Sequence, residues 1–206
     1  GPIGQDILAK FDAVGLKALA WGEQGFRHIT NNRNQIEGPE DVQGLKLRTM
    51  ENPVHLSAFN AMGAAPTPMA WPEVISSLQQ GVIDGQENPL SVIVSVKLDE
   101  VQEYLTLSGH VYSPAMLLVS SSFWDGLDNS QKAAFETAAA EAVSAMRGYV
   151  DDVETNGVEV LKERGMKVNT LSTEEKARFQ DAIASAYEDY YETYGRELVD
   201  SIVNFE

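Results

Sequence analysis

An α/β fold is predicted for this chain of 206 residues, and three observations carry the prediction. In the first half, short strand-like apolar runs alternate with helices that open on proline and stop at glycine. In the second half, one apolar stripe recurs at steps of 3 and 4 over about five helical turns. No cysteine is present, so neither a disulfide scaffold nor a cysteine-ligated metal centre organises the chain.

The elements follow in order. Ile7, Leu8, Phe11 and Val14 sit at helical spacing within Asp6–Val14, and Gly15 ends that helix. Leu16–Trp21 reads as a strand, and Gly25 opens a second short one, Phe26–Thr30. Residues 31–44 are polar and carry a turn at Pro39-Glu40-Asp41. Leu45–Met50 alternates, with Leu45, Leu47 and Thr49 on one face and Lys46, Arg48 and Met50 on the other. Asn52 as N-cap and Pro53 in the first helical position start a helix that runs to Met62 and stops at Gly63. Ala65–Met69 is an extended piece interrupted by proline, Pro72–Gln80 a helix closed by Gly81, and Val82–Gly85 a short strand ending in a turn. Asn88-Pro89 caps a helix over about 90–98, and Leu105–Leu107 and Met116–Ser120 are strands.

The second half is mostly helical. Asp128-Asn129-Ser130-Gln131 has the form of a capping box. Phe135, Ala139, Ala142, Met146, Tyr149 and Val153 then form the stripe of one long helix extending to Arg164. Met166–Leu171 is a strand. Ser172-Thr173-Glu174-Glu175 is a second capping box, opening a helix to Gly195, and Arg196–Phe205 is a last short helix.

Charge excludes several functions. Thirty-one acids against 15 bases give a net charge of −16. Nucleic-acid binding draws its affinity from Lys and Arg on phosphates, and an anionic membrane repels such a surface. No apolar stretch approaches the length that spans a bilayer.

Catalytic signatures are absent: no phosphate-binding loop, no dinucleotide fingerprint, no nucleophile elbow and no His-Glu-x-x-His occurs. His28, His55 and His110 lie far apart in sequence and read as structural hydrogen-bonding residues. Asp84 and Glu87 could pair as carboxylates or hold a cation, but the turn around Gly85 accounts for them more simply. No catalytic residue, metal site or cofactor is therefore assigned. The arginines are more informative. Arg48 lies near the carboxyl end of a strand, five residues before a proline-initiated helix, and Arg27 follows a glycine on another strand. Ligands of α/β sheets bind beyond the carboxyl ends of strands, and a guanidinium fork matches a carboxylate. Either these arginines form a positive site in a cleft, or each pairs with one of the acids on a solvated face. Pattern alone leaves both open.

Five segments in order resolve the choice by likeness. They are Gly25-Phe26-Arg27, Gly44-Leu45-Lys46-Leu47-Arg48, Met62-Gly63-Ala64-Ala65-Pro66-Thr67-Pro68-Met69, Asp84-Gly85-Gln86-Glu87-Asn88-Pro89-Leu90 and Leu105-Thr106-Leu107-Ser108-Gly109-His110. In sequence and spacing they resemble the DctP-type substrate-binding proteins of TRAP transporters, along nearly the whole chain. The resemblance implies a two-lobed periplasmic-binding-protein-like α/β fold that closes on a small organic anion, a sugar acid or C4-dicarboxylate, and passes it to a membrane permease for ion-gradient-driven uptake. It implies a periplasmic location and no enzymatic activity. Arg48 matches the arginine that pairs with the substrate carboxylate, and Arg27 a second arginine near it. Asn88 matches an asparagine that hydrogen-bonds the ligand, and Trp71 an aromatic that packs on it. Gln86 and Glu87 flank Asn88 as supporting or hinge residues. Glu51, near Arg48, would repel a second carboxylate or bond sugar hydroxyls, which favours a sugar acid.

The resemblance also implies that roughly 100 residues of the family's first lobe precede Gly1. The expected division is a nearly complete second lobe at 26–110, remnants of the first at 1–25 and 111–127, a lobe-spanning helix at 128–164, and a C-terminal strand with helices at 165–206. Strands without neighbours expose edges and apolar faces, so self-association of this chain is expected. The alternative, an enzyme or interaction domain on a related α/β fold, requires a nucleophile–base pair that the sequence does not offer.

Overall fold

The computed structural model describes residues 1–205, so the last residue of the expected 165–206 segment lies outside the described residues. Six strands form one mixed sheet in the order β3-β2-β4-β1-β5-β6. They are β1 (Leu16–Asn31), β2 (Lys46–Thr49), β3 (Ala65–Pro68), β4 (Gly85–Pro89), β5 (Tyr104–Ser120) and β6 (Lys167–Thr170). The helices are α1 (Pro2–Ala9), α2 (Pro53–Ala61), α3 (Trp71–Gln79), α4 (Leu90–Ser95), α5 (Ser121–Asp125), α6 (Asn129–Glu163), α7 (Thr173–Ala182), α8 (Ala186–Tyr194) and α9 (Arg196–Val203). Among the described residues no helix is long and apolar enough to cross a membrane.

The two long strands correct the sequence reading. The runs at Leu16–Trp21 and Phe26–Thr30 are one strand, and those at Leu105–Leu107 and Met116–Ser120 are another. Each is about 50 Å long, and they pair antiparallel from Leu16↔Ser120 to Asn31↔Tyr104. Gly25 does not break β1. It sits at a register shift with φ 99°, a conformation that L side chains rarely adopt, so the strand bulges and continues. Helix α6 comes close at this point, where a Cβ on Gly25 would lie 3.3 Å from Val150 Cγ1.

Strand β4 also lies three residues beyond its expected place. Residues 82–84 form bends and the strand is Gly85–Pro89, so Asn88 is a strand residue and α4 begins after Pro89. At Gly85 a Cβ would lie 2.2 Å from the Thr30 carbonyl oxygen, so only glycine lets β4 pair at this register. The expected single helix from Ser172 to Gly195 is broken at residues 183–185 into α7 and α8.

Helices pack on both faces of the body of the sheet. One core joins Val74 and Leu78 of α3, Leu90 and Ile93 of α4, and Val153 and Leu161 of α6. The other joins Ile29, Leu45, Leu47, Phe59 and Met62, with Phe179 and Ile183 packed against it. The buried face of α6 is Ala139, Val143, Val150, Val153, Gly157 and Leu161, whereas Phe135 and Tyr149 are exposed. Of the expected stripe, Ala139 and Val153 are buried and Met146 is half-buried, but Val143 and Val150 take the places expected of Ala142 and Tyr149: the β-branched valines, rather than the larger aromatics, fit the close approach to the strands.

Beyond the reach of β4 and β6, β1 and β5 continue as a two-stranded ribbon. From Val111 onward, β5 alternates between half-buried and exposed residues, and the exposed set Tyr112, Pro114, Met116, Leu118 and Ser120 is mostly apolar. Apolar residues on both faces are the pattern of a strand covered on both sides.

Candidate functional site

Strands β2, β3 and β4 run parallel, so their carboxyl ends lie at one edge of the sheet. Helices α2, α3 and α4 follow these three strands. Asn52 caps α2 by accepting from the Val54 N–H, and Pro53 and Pro72 occupy opening turns where no amide donor is needed. The antiparallel β1 brings Arg27 opposite Pro89 and Val111 at the same edge. The topology therefore gathers Arg48 from β2, Asn88 from β4, Arg27 from β1 and Trp71 from the start of α3.

Arg27 is 2% exposed and bound to an acid of its own chain. Its Nε donates to Glu87 Oε2 at 2.5 Å, and its Nη2 to Glu87 Oε1 at 2.8 Å and to the Glu87 carbonyl at 2.7 Å. Nη2 also reaches Asn88 Oδ1 at 3.2 Å, and Nη1 reaches Ser113 Oγ at 3.3 Å. Most of its fork is thus committed, which narrows what Arg27 can offer a ligand. The pair is buried rather than set on a solvated face.

Arg48 differs. It is 4% exposed, and its Nε and Nη2 both donate to the Met69 carbonyl, at 2.9 and 2.7 Å. Its guanidinium lies 5.6 Å from the Trp71 ring centre, a cation–π distance. Among the described residues no carboxylate lies within ion-pair distance of it. Burial lowers the pKa of its guanidinium, the charge of Glu87 opposes that effect, and Arg27 adds to it. Two arginines thus share one buried carboxylate, a local positive excess in a chain of net charge −16.

Glu87 is the centre of the cluster. Burial alone would raise its pKa, but hydrogen bonds from His110 and Arg27 hold the carboxyl down at about 2. His110 Nε2 lies 3.2 Å from Glu87 Oε2, and His55 Nδ1 lies 4.0 Å from Oε1. His28 accepts from the Gly109 N–H through Nδ1. Two of the three histidines, His55 and His110, therefore meet at this carboxylate, which their sequence separation concealed. His110 arrives on β5 and His55 on α2, and the packing of both against β4 brings them together.

Asn88 is held at both ends of its amide. Its Oδ1 accepts from Arg27 and its Nδ2 donates to Gln86 Oε1. Gln86 donates to Thr30 Oγ1, which donates to Gln102 Oε1. This relay fixes which way the Asn88 amide faces and leaves one Nδ2 proton uncommitted. Trp71 is 36% exposed, half-covering Arg48. Glu51 is exposed and acts on Arg48 through its charge, without an ion pair among the described residues. Asp84 and Glu87 do not act together: Asp84 accepts from the Lys46 N–H at 2.9 Å, and Glu87 serves Arg27. No cluster of metal-ligating side chains occurs among the described residues. The arrangement is suited to binding one small anion at Arg48, with an amide and an aromatic ring beside it.

Comparison with known proteins identifies the family. Residues 1–193 match the family model for bacterial extracellular solute-binding protein, family 7. A solute-binding protein of Verminephrobacter eiseniae is 46% identical over 98% of the chain, which spans 60% of that relative. A TRAP periplasmic solute-binding protein from Polaromonas, solved bound to D-erythronate, is 48% identical, with a TM-score of 0.93 over 98% of this chain and 66% of that one. The sugar acid binding protein from Advenella mimigardefordensis, solved with galactonate, is 39% identical, with a TM-score of 0.95 over 99% of this chain and 66% of that one. The chain thus spans about two thirds or less of the length of each protein it resembles here. With its strand order, its motifs and its family match in agreement, the chain belongs to the DctP family, the bacterial extracellular solute-binding proteins of family 7.

Proposed function

We propose that this chain is the greater part of a periplasmic receptor that binds a small organic acid and delivers it to a TRAP permease. The carrying observation is Arg48: a buried guanidinium with a carbonyl and a tryptophan for company and, among the described residues, no carboxylate within ion-pair distance. A buried charge without an opposite charge is costly, and a ligand carboxylate supplies what is missing. Asn88 donates its remaining amide proton to the ligand, and Trp71 covers it. Arg27 acts mainly through Asn88 and Glu87, holding the amide in place. The sugar acids D-erythronate and galactonate bound by the two structural relatives support a hydroxylated monoacid over a C4-dicarboxylate, and the charge of Glu51 favours the same choice.

In this reading residues 26–110 form the ligand-carboxylate lobe, residues 1–25 and 111–127 belong to a first lobe, and the long helix spans the two. The apolar outer face of β5 then belongs under the rest of that lobe. In its absence the chain self-associates, which light scattering on a sizing column tests against the 22.5 kDa of one copy.

Calorimetric titration of galactonate and D-erythronate into the full-length protein tests the assignment. Saturable binding that Arg48→Ala weakens by about 100-fold, near 3 kcal/mol, is expected. Unchanged affinity in that variant refutes the role of Arg48. The ligand is recovered unaltered, as carbon NMR of the released acid will show; turnover would instead indicate an enzyme.

A further inference from the structure

We propose that Met146 is a modification site: its thioether, seated in a glycine socket of β1, is oxidised to the sulfoxide by a peroxide, and the change loosens the joint between α6 and the β1–β5 ribbon. The inference uses neither Arg48 nor the groups beside it and stands apart from the acid site.

The chain has no cysteine, so its six methionines hold all of its sulfur. Met62 and Met166 are buried in the two cores. Met116 is 36% exposed on the outer face of β5, where an added oxygen meets solvent. Met50, Met69 and Met146 are half-buried. Among the described residues, Met146 is the one methionine whose sulfur accepts a hydrogen bond: the Glu23 N–H donates to Sδ at 3.3 Å. Glu23 stands at the register shift that leads into Gly25. The same sulfur occupies the space that a side chain at residue 22 would need. A Cβ on Gly22 would lie 2.5 Å from Sδ, 3.4 Å from Cε and 3.8 Å from the Ala115 Cβ. The neighbouring contacts belong to the same joint. Arg147 Nη2 donates to the Trp21 carbonyl at 3.2 Å, and one turn further Val150 faces Gly25. Helix α6 thus grips β1 between Trp21 and Gly25, and the thioether is the oxidisable member of that grip.

The reaction balances with hydrogen peroxide as oxidant. The Sδ lone pair takes one peroxide oxygen, the S–O bond forms and the O–O bond breaks. The proton on the transferred oxygen passes to the departing hydroxide, and water leaves. Sulfur is oxidised by two electrons and the peroxide is reduced. A thioether is soft, apolar and a weak acceptor, which suits a glycine socket beside one amide. In the sulfoxide the sulfur is polarised positive and faces the positive end of the Glu23 N–H. The new oxygen can take that proton only by displacing the helix from a socket that is already full. Either outcome weakens the joint, through an unpaired amide or through lost packing.

The test treats the 206-residue chain with dilute hydrogen peroxide, maps the sulfoxides by peptide mass spectrometry and follows thermal unfolding. Sulfoxide is expected at Met146 as well as at Met116, with a melting midpoint lowered by about 3 °C or more. Met146→Leu, close in size and inert to peroxide, should lose that response, whereas Met116→Leu should keep it. The pair of methionine sulfoxide reductases that act on the two epimers should restore the midpoint of the oxidised wild-type chain. This last measurement needs no variant, so it decides the matter even if Met146→Leu folds poorly. A Met146 that stays unoxidised after Met116 is fully converted overturns the proposal. So does an unchanged midpoint in the oxidised chain, or a loss that Met146→Leu shows equally.

Discussion

Replacing Glu87 by Gln probes the centre of the cluster while keeping its shape. Glu87 is fully buried and receives Arg27 through two side-chain hydrogen bonds, with His110 as a third donor. Gln removes the charge and turns one of its two acceptors into a donor facing Arg27 or His110. Two lines of reasoning give the magnitude. Breaking a buried ion pair by removing one partner costs about 3–5 kcal/mol. Holding a carboxyl at about 2 instead of 4.5 corresponds to about 3 kcal/mol at neutral pH. The sign follows from the lowered value. This stability is fully present above pH 4.5 and is lost as the pH falls towards 2. Urea unfolding at pH 7 should therefore show a lower midpoint with an unchanged slope. Repeating it down the acid limb should show wild type losing its advantage over Glu87→Gln below pH 4.5. A variant within about 1 kcal/mol of wild type at pH 7, or one whose deficit is the same at all pH values, would refute the buried ion pair as the anchor of this edge.

Other outcomes follow from the same structure. Burial first, then the charges of His110 and Lys176, lower the His28 pKa from 6.5 to about 3. Folding thus keeps His28 neutral, and its contribution is lost as the pH falls below 6.5. The loss should reach about 2 kcal/mol by pH 5, and His28→Asn, which retains an acceptor for Gly109, should flatten that part of the stability profile. Gly85→Ala drives a methyl group into the Thr30 carbonyl and should cost about 3 kcal/mol in denaturant melts; a neutral result would mean that β4 pairs at a different register.

What could be read from the sequence was whatever local chemistry punctuates. Asn52-Pro53, Gly63, Gly81, Asp128 and Ser172 marked helix ends because caps and positive-φ stops are decided within a few residues. Gly25 misled because a glycine can end a strand or bulge it, and the distant β5 decides which. Asn88-Pro89 resembled a helix cap, yet antiparallel pairing with His28 and Arg27 of β1 made it strand. Arg48, Asn88 and Trp71 could be named as site candidates through family likeness. That Arg27 is committed to Glu87, and that His55 and His110 meet the same carboxylate, depends on a contact 60 residues apart for Arg27 and on the packing of α2 and β5 beside β4 for the histidines. No local pattern records such contacts.

Helix α6 is shared property. Near its middle Val150 seats against the glycine gap of β1, and further along Val153 and Leu161 complete the core built by α3 and α4. Neither the ribbon nor the body can melt without stripping one side of the same 35-residue rod, so the two are bound into one cooperative unit. Heating should accordingly give a single sigmoid, with tryptophan emission of a Trp71→Phe/Trp124→Phe variant, which keeps only Trp21 on the ribbon, and far-ultraviolet dichroism of the helices sharing one midpoint.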